Sequence, residues 1–246
     1  MPTATYQNRR GQLETYFDRT AFEAWARMTS DVPLSGIRAT VRAGRDAMRQ
    51  TLLDWLPADM RGARLLDAGC GTGALAVEAA RRGADVLAVD ISPSLIRLAQ
   101  ERIPPALNAH DPQTGADQRL QGGRIEFCVG DMLNPEFGRF DYVVAMDSLI
   151  HYRASDIGRV VGALAERTGS AVLFTFAPRT ALLLIMHAAG RLIPNSDRAP
   201  AIEPVAEKKL RRILEPKIFP AGGKLGRTHR VASGFYTSQA LEVLGA

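Results

Sequence analysis

Leu65-Leu-Asp67-Ala-Gly69-Cys-Gly71-Thr-Gly73 is the stretch on which the fold turns. A short apolar run from Arg64 enters three alternating glycines, and residues 72–82 beyond them read as a helix. Glycines at a strand-to-helix turn accept positive φ and let the backbone approach a ligand closely. Taken alone the stretch has more than one reading. Gly69, Gly71 and Ala74 also satisfy the G-x-G-x-x-G/A fingerprint of dinucleotide-binding domains, and a plain tight turn is the blandest reading.

Working outward, short apolar segments alternate with helical ones. Asp85-Val-Leu-Ala-Val-Asp90 reads as a second strand, and Ser92-Pro93 opens a helix with Ser as N-cap and Pro at N1. Residues 104–123 are polar and rich in turn formers. Strands are expected at 124–129, 140–146 and 170–176, with a helix at about 154–167 between the last two. A helical stretch follows at about 180–213, and then two short β-like segments at 227–232 and 234–238. Upstream, residues 12–57 carry two helical stripes, Phe22, Trp25 and Met28, then Met48, Leu52, Leu53 and Leu56, separated by Pro33 and Gly36. The alternation implies a mostly parallel sheet covered by helices on both faces. Residues 1–60 are expected to form an N-terminal helical cap. Residues 61–246 are expected to form the main domain, with a helical lid inserted at about 179–222.

Three carboxylates bear on the ligand. Asp67 stands two residues before the first glycine, where it would repel a pyrophosphate but suits an ammonium group. Asp90 ends the second strand, where it can accept both hydroxyls of a ribose. Asp131 follows the third strand, placed to accept an adenine amino group, with Met132 against the ring. Ligands of such sheets bind beyond the carboxyl ends of the strands, which is where all three fall.

The segment 65–176 resembles the class I S-adenosylmethionine-dependent methyltransferases, through the D-x-G-x-G-x-G motif at Asp67 to Gly73. The resemblance implies a Rossmann-like α/β fold with a seven-stranded sheet and S-adenosylmethionine as methyl donor. Its cofactor set here is Asp67, Gly69, Gly71, Gly73, Asp90, Ile91, Asp131, Met132 and Asp147. Members that methylate nitrogens often carry Asn-Pro-Pro-aromatic after the fourth strand. Asp147-Ser-Leu-Ile-His-Tyr152 stands there instead and weighs against nitrogen methylation.

A narrower resemblance, to the magnesium-protoporphyrin IX methyltransferases of bacteriochlorophyll and chlorophyll synthesis, spans most of the chain. It is carried by Tyr16-Phe-Asp-Arg-Thr-Ala-Phe22 with Trp25, Ile37-Arg-Ala-Thr-Val-Arg-Ala-Gly-Arg45, Asp90-Ile-Ser92, Asp147 to Tyr152, and Phe174-Thr-Phe-Ala-Pro-Arg179. Thr29 stands where the family often has Tyr, so no role of that tyrosine carries over. Arg179 stands where Lys is common. The resemblance implies methyl transfer to one propionate of magnesium-protoporphyrin IX, with His151 catalytic, as a base or as a group that orients the carboxylate. Tyr16, Phe17, Phe22, Trp25 and Arg179 are the expected substrate contacts. The magnesium belongs to the substrate, and no protein-bound metal is expected. The porphyrin-carrying subunit of magnesium chelatase and a membrane surface are expected partners. An O-methyltransferase for another carboxylate or a phenol is the alternative.

Composition sets the outer limits. Cys70 and Cys128 are too few for a disulfide framework and fit a reducing, cytoplasmic setting. The longest apolar run, 181–193, is interrupted by His187, Gly190 and Arg191 and falls short of the about 20 residues a spanning helix needs. Residues 1–11 lack the apolar core of a signal peptide. A net charge of +5 favours anionic partners mildly. The Lys208, Lys209, Arg211 and Arg212 cluster reads as a solvated helix face, and no nucleic-acid partner is expected.

Overall fold

The computed structural model describes residues 3–20, 29, 36–108, 123–179 and 201–245. Phe22 and Trp25, part of the polar stretch at 104–123, and residues 180–200 of the expected lid lie outside the described residues. Seven strands form one sheet: β1 Arg64–Ala68, β2 Asp85–Asp90, β3 Arg124–Val129, β4 Phe140–Ala145, β5 Thr168–Phe176, β6 Lys224–Ser233 and β7 Tyr236–Leu244. Their order is β3-β2-β1-β4-β5-β7-β6, and β7 alone runs against the others. The order reverses between β1 and β4, the place where such sheets open a crevice for a ligand.

Six helices are described: α1 Ala4–Thr15, α2 Gly36–Trp55, α3 Ala74–Arg81, α4 Pro93–Arg102, α5 Ala154–Ala165 and α6 Glu207–Ile218. A π-type turn at Tyr16–Thr20 extends α1. Strand periodicity sorts the core into two layers. Leu66, Val143, Val172 and Phe174 pack with α5 and α6, whereas Leu65, Val144 and Leu173 pack with α2 and α3. In α2 the buried stripe is Met48, Leu52 and Leu53. In α6 it is Leu210, Leu214 and Ile218. The glycines of α5 admit α6 closely: a Cβ on Gly158 would lie 2.3 Å from Ile213 Cγ2.

Three expectations change. The helix α2 belongs to the sheet cover, so of the described residues before 60 it is α1 and the turn after it that lie over the carboxyl ends of the strands. The helix α6 starts at Glu207 and packs on α5, because its apolar stripe needs the sheet's layer rather than solvent; it is no lid. The last two strands are longer than expected, and Gly234, placed in a strand by the sequence reading, is the turn. It occupies the first position of a two-residue hairpin loop at φ 55°, a conformation that suits glycine. The edge strand β6 is mostly exposed and carries Lys224, Arg227, His229 and Arg230, with a register shift between Leu225 and Thr228.

Candidate active site

The site lies where β1, β2 and β4 end. Gly69, Gly71 and Gly73 take φ of 82°, 56° and 78°, all in the left-handed region. A Cβ on Gly69 would stand 2.4 Å from the Ser148 side chain, so this position is closed to any larger residue. The loop is pinned from β2: the Gly69 and Cys70 amides donate to the Val89 carbonyl at 2.8 and 3.0 Å, and the Gly71 amide donates to Asp90 Oδ2 at 2.8 Å. Asp90 Oδ1 accepts from the Ser92 amide at 2.9 Å. Burial raises the Asp90 pKa against the pull of these amides. A carboxylate oxygen has room for a second donor, so Asp90 can still receive a ribose hydroxyl.

Asp67 is buried, and its Oδ2 has no hydrogen-bond partner among the described residues; Ser148 Oγ, against Gly69, has none either. Burial first, and then the charge of Asp90, push the Asp67 pKa up to about 7. An orphaned buried carboxylate oxygen asks for a cation. The pair fits the amino-acid end of S-adenosylmethionine, whose ammonium supplies the missing donor, and the glycine cradle fits its close backbone approach.

A cavity of about 790 Å³, in the upper part of the range for ligand sites, opens from this loop. Asp67, Gly69, Gly71, Asp90, Ile91, Met132, Asp147, His151, Tyr16 and Phe17 all line it, so the structure brings most of the expected set together. Three described members fall outside the lining. Gly73 caps α3 behind the loop. Arg179 is exposed after β5, its amide bonded to the Val205 carbonyl. Asp131, expected at an adenine, is instead taken up by α1. Its Oδ1 accepts from Tyr6 Oη at 2.8 Å and the Leu133 amide at 2.9 Å, and its Oδ2 pairs with Arg10 at 2.8 Å.

His151 is 8% exposed. Its Nδ1 lies 3.4 Å from the Ala201 carbonyl, and the Phe17 ring meets it edge-on at 6.3 Å. A carbonyl only accepts, so this contact places the proton on Nδ1 and leaves Nε2 as the acceptor in the neutral ring.

Asp147 differs from the reading that made it a cofactor ligand. Its carboxylate accepts from Arg45 at 2.8 Å and from the Tyr236, Ser238 and Thr175 hydroxyls at 3.1 Å each. Its amide donates to Thr175 Oγ1 at 2.7 Å. Among the described residues it is the one non-glycine at positive φ, 53°. Such a conformation persists where the surroundings over-determine it, here through bonds to α2, β5 and β7. The sequence reading missed Tyr6, Arg10, Arg45, Tyr236 and Ser238. Each joins the site through a partner far away in the chain, and the one signal available was Arg45 within the family-like segment 37–45.

No group of three or more His, Cys, Asp or Glu that could hold a metal ion occurs among the described residues. Nor is any described helix long and apolar enough to cross a membrane.

Comparison with known proteins follows the geometry. The family described as "Magnesium-protoporphyrin IX methyltransferase C-terminus" matches residues 145–244, and a "Methyltransferase domain" family matches 65–168. The magnesium-protoporphyrin O-methyltransferase of Rhodobacter capsulatus is 51% identical over 238 residues, 96% of this chain and 97% of the relative. That of Synechocystis sp. is 28% identical, covering 94% of each. The crystal structure of magnesium protoporphyrin IX methyltransferase from Synechocystis PCC 6803 with bound SAH superposes with a TM-score of 0.80 at 27% identity, covering 97% of this chain and 100% of that one. With an acid-flanked glycine cradle at the strand ends and likeness over nearly its whole length, the chain belongs to the magnesium-protoporphyrin IX methyltransferase family.

Proposed function

We propose that the protein transfers a methyl group from S-adenosylmethionine to one propionate of magnesium-protoporphyrin IX, giving the monomethyl ester and S-adenosylhomocysteine. The observation that carries this is the unpartnered Oδ2 of Asp67 in the lining of a cavity that has His151 and aromatic walls elsewhere. The bound cofactor supplies an electrophilic methyl on a sulfonium. Asp67 and the glycine loop hold its amino-acid end, Asp90 its ribose, and Met132 and Ile91 flank its base. A propionate, like a Glu side chain with pKa about 4.3, is ionised at neutral pH and needs no proton removed. The protein's work is then to desolvate one oxygen and align it. Phe17 and Tyr16 shield it from water, and His151 orients the carboxylate or takes its proton where burial has kept it protonated. Incubation with S-adenosylmethionine and magnesium-protoporphyrin, read by product mass, tests the reading. A gain of one methyl supports it; methylation of phenols with the porphyrin untouched sinks it.

Asp67 gives this reading a pH signature. In the free protein it titrates near 7, against 3.8 for an ordinary Asp, so the folded form keeps a proton that the unfolded chain has released. Between those values its contribution to stability falls as pH rises. Cofactor binding has the opposite trend, because the ammonium needs the ionised carboxylate. Affinity for S-adenosylmethionine is expected to weaken as pH drops below 7, by up to about tenfold per unit. Above about 8 it weakens again as the ammonium loses its own proton. Calorimetry across pH 5–9 checks this. A wild-type profile without the acid limb, or an acid limb that survives in Asp67→Asn, removes Asp67 from the ammonium.

The helix α1 is a lid. It is tied down by polar contacts, Tyr6 and Arg10 to Asp131, Thr3 and Thr5 to the buried Asp156, and Arg9 to Glu203, and by Tyr6 and Leu13, which are buried in the core layer of α5 and α6, Tyr6 stacking on Tyr152. The polar ties exchange with water at low net cost, so what opening must overcome is chiefly the burial of Tyr6 and Leu13. Exposed apolar side chains of the cavity lining, Phe235 and Ile202, are the receiving surface for substrate from the porphyrin-carrying subunit of magnesium chelatase or from a membrane surface. Asp131→Asn is expected to speed amide exchange in α1 several-fold without changing the melting temperature by more than a few degrees. Unchanged exchange would show that α1 is held by packing alone.

A further inference from the structure

Between β4 and α5 the chain runs along the cavity: of residues 146–152, all but the buried Leu149 line it. This turn shapes two parts of the site. Ser148 packs against Gly69 of the cofactor loop, and His151, a few residues on, lies beside Phe17. Asp147 stands where the chain leaves the strand. Its φ of 53° sets the direction of the turn, and a return to the ordinary negative range would redirect the residues that follow.

The Asp147 carboxylate has little capacity left for a ligand, because a carboxylate offers about four lone-pair sites. Its Oδ1 already accepts from the Thr175, Tyr236 and Ser238 hydroxyls, and its Oδ2 from Arg45 and again from Tyr236. Only 5% of the side chain is exposed. These donors come from α2, β5 and β7, elements fixed in the sheet and its cover. They hold a conformation that costs free energy for any residue with a Cβ. Farther along, the turn is fastened separately. Leu149 is buried in the layer of α5 and α6, the Ile150 carbonyl accepts from the Glu203 amide at 2.9 Å, and Tyr152 stacks on Tyr6.

We propose that Asp147 is a positioning residue: its clamped left-handed backbone places His151 for methyl transfer, and Tyr236 and Ser238 of β7 act on the reaction through it. This rests on the reaction proposed above, in which His151 meets the reacting carboxylate. A group that must align one oxygen with a methyl tolerates little misplacement, so a turn aimed from a saturated, buried clamp serves that alignment better than a free loop would.

The test separates the clamp from the charge. Asp147→Asn tolerates positive φ; its amide oxygen can accept from Arg45 while its NH2 donates to the hydroxyls, which turn to accept. Asp147→Gly keeps the φ but loses the clamp, so the turn is free to wander. Single-turnover methyl transfer is measured at saturating S-adenosylmethionine, at a temperature where calorimetry shows each variant folded. Asp147→Gly should lower the rate by about ten- to a hundredfold, the effect of misplacing a reacting group by about 1 Å, and by no more than His151→Ala does. Asp147→Asn should stay within about threefold of wild type. Tyr236→Phe, which removes one hydroxyl and guards against a Gly variant that does not fold, should lie between them. In a His151→Ala background all three should change the rate by less than about twofold, because the ring that transmits their effect is gone. Additive losses in that background overturn the inference. So does an Asp147→Asn variant as slow as Asp147→Gly with weakened S-adenosylhomocysteine affinity, which would make the carboxylate a ligand. If wild type methylates no porphyrin, the proposed reaction fails, and the inference is read from the His151 ring resonance by NMR in the free protein. A resonance moved in Asp147→Gly and kept in Asp147→Asn supports it; one unmoved in both sinks it.

Discussion

His151→Ala is expected to lower turnover by roughly ten- to ten-thousand-fold while S-adenosylmethionine affinity stays at the wild-type value. The spread has a physical meaning. A carboxylate nucleophile needs no base, so a histidine that orients it contributes at the low end, and proton transfer contributes at the high end. His151→Gln separates the two, because Gln keeps a donor and an acceptor but cannot exchange a proton at neutral pH. Recovery of most activity in the Gln variant assigns orientation; a Gln variant as slow as Ala assigns proton transfer. The measurement is single-turnover methyl transfer, with cofactor affinity taken separately. Unchanged turnover together with a lower melting temperature would reduce His151 to a packing residue between Phe17 and Ala201.

The second large effect is on stability. Asp147→Ala should cost about 2–4 kcal/mol, the loss for breaking a buried ion pair discounted because Arg45 keeps 20% of its side chain exposed. For a chain of this length that lowers the melting temperature by roughly 5–15 °C. Three hydroxyls, from Thr175, Tyr236 and Ser238, lose their acceptor together, so the damage reaches β5 and β7 as well as α2. Asp147→Asn tolerates positive φ and keeps most of the hydrogen bonds, so it should lose less, about half as much. Differential scanning calorimetry reads both variants. An Ala variant that melts with wild type would mean that the cluster does not hold these elements together.

What the sequence made legible follows from how local the physics is. The β1 loop, β2 and the start of α4 could be read directly, because each rests on neighbours in the chain. The Ser92 cap, for example, accepts from the Leu95 amide three residues on at 3.2 Å. The seven-strand sheet followed from alternation and from the family-like motifs. The length of β6 and β7 did not, since that depends on β7 pairing with β5 from Ala171 against Leu244. The fates of Asp131 and Asp147 were hidden for the same reason. Both sit at strand ends, where a carboxylate reads as a ligand to a bound nucleoside. Tyr6 reaches Asp131 across 125 residues of chain, and Arg45 reaches Asp147 across 102, and no local pattern announces such meetings. Asp67 Oδ2 has no competing donor among the described residues, which leaves it facing the cavity lining.

The sheet's open edge has one further effect. A strand with unpaired backbone groups invites another chain to add to it, the first step of aggregation. Along β6 two molecules meeting edge to edge would bring Lys224, Arg227 and Arg230 of one against the same residues of the other, and the irregular register near Leu225 breaks the flat template such growth needs. Repulsion of this kind reaches about 10 Å at 0.1 M salt and only about 3 Å at 1 M. The last sheet edge thus carries its own safeguard against edge-to-edge growth, and concentrated salt weakens it.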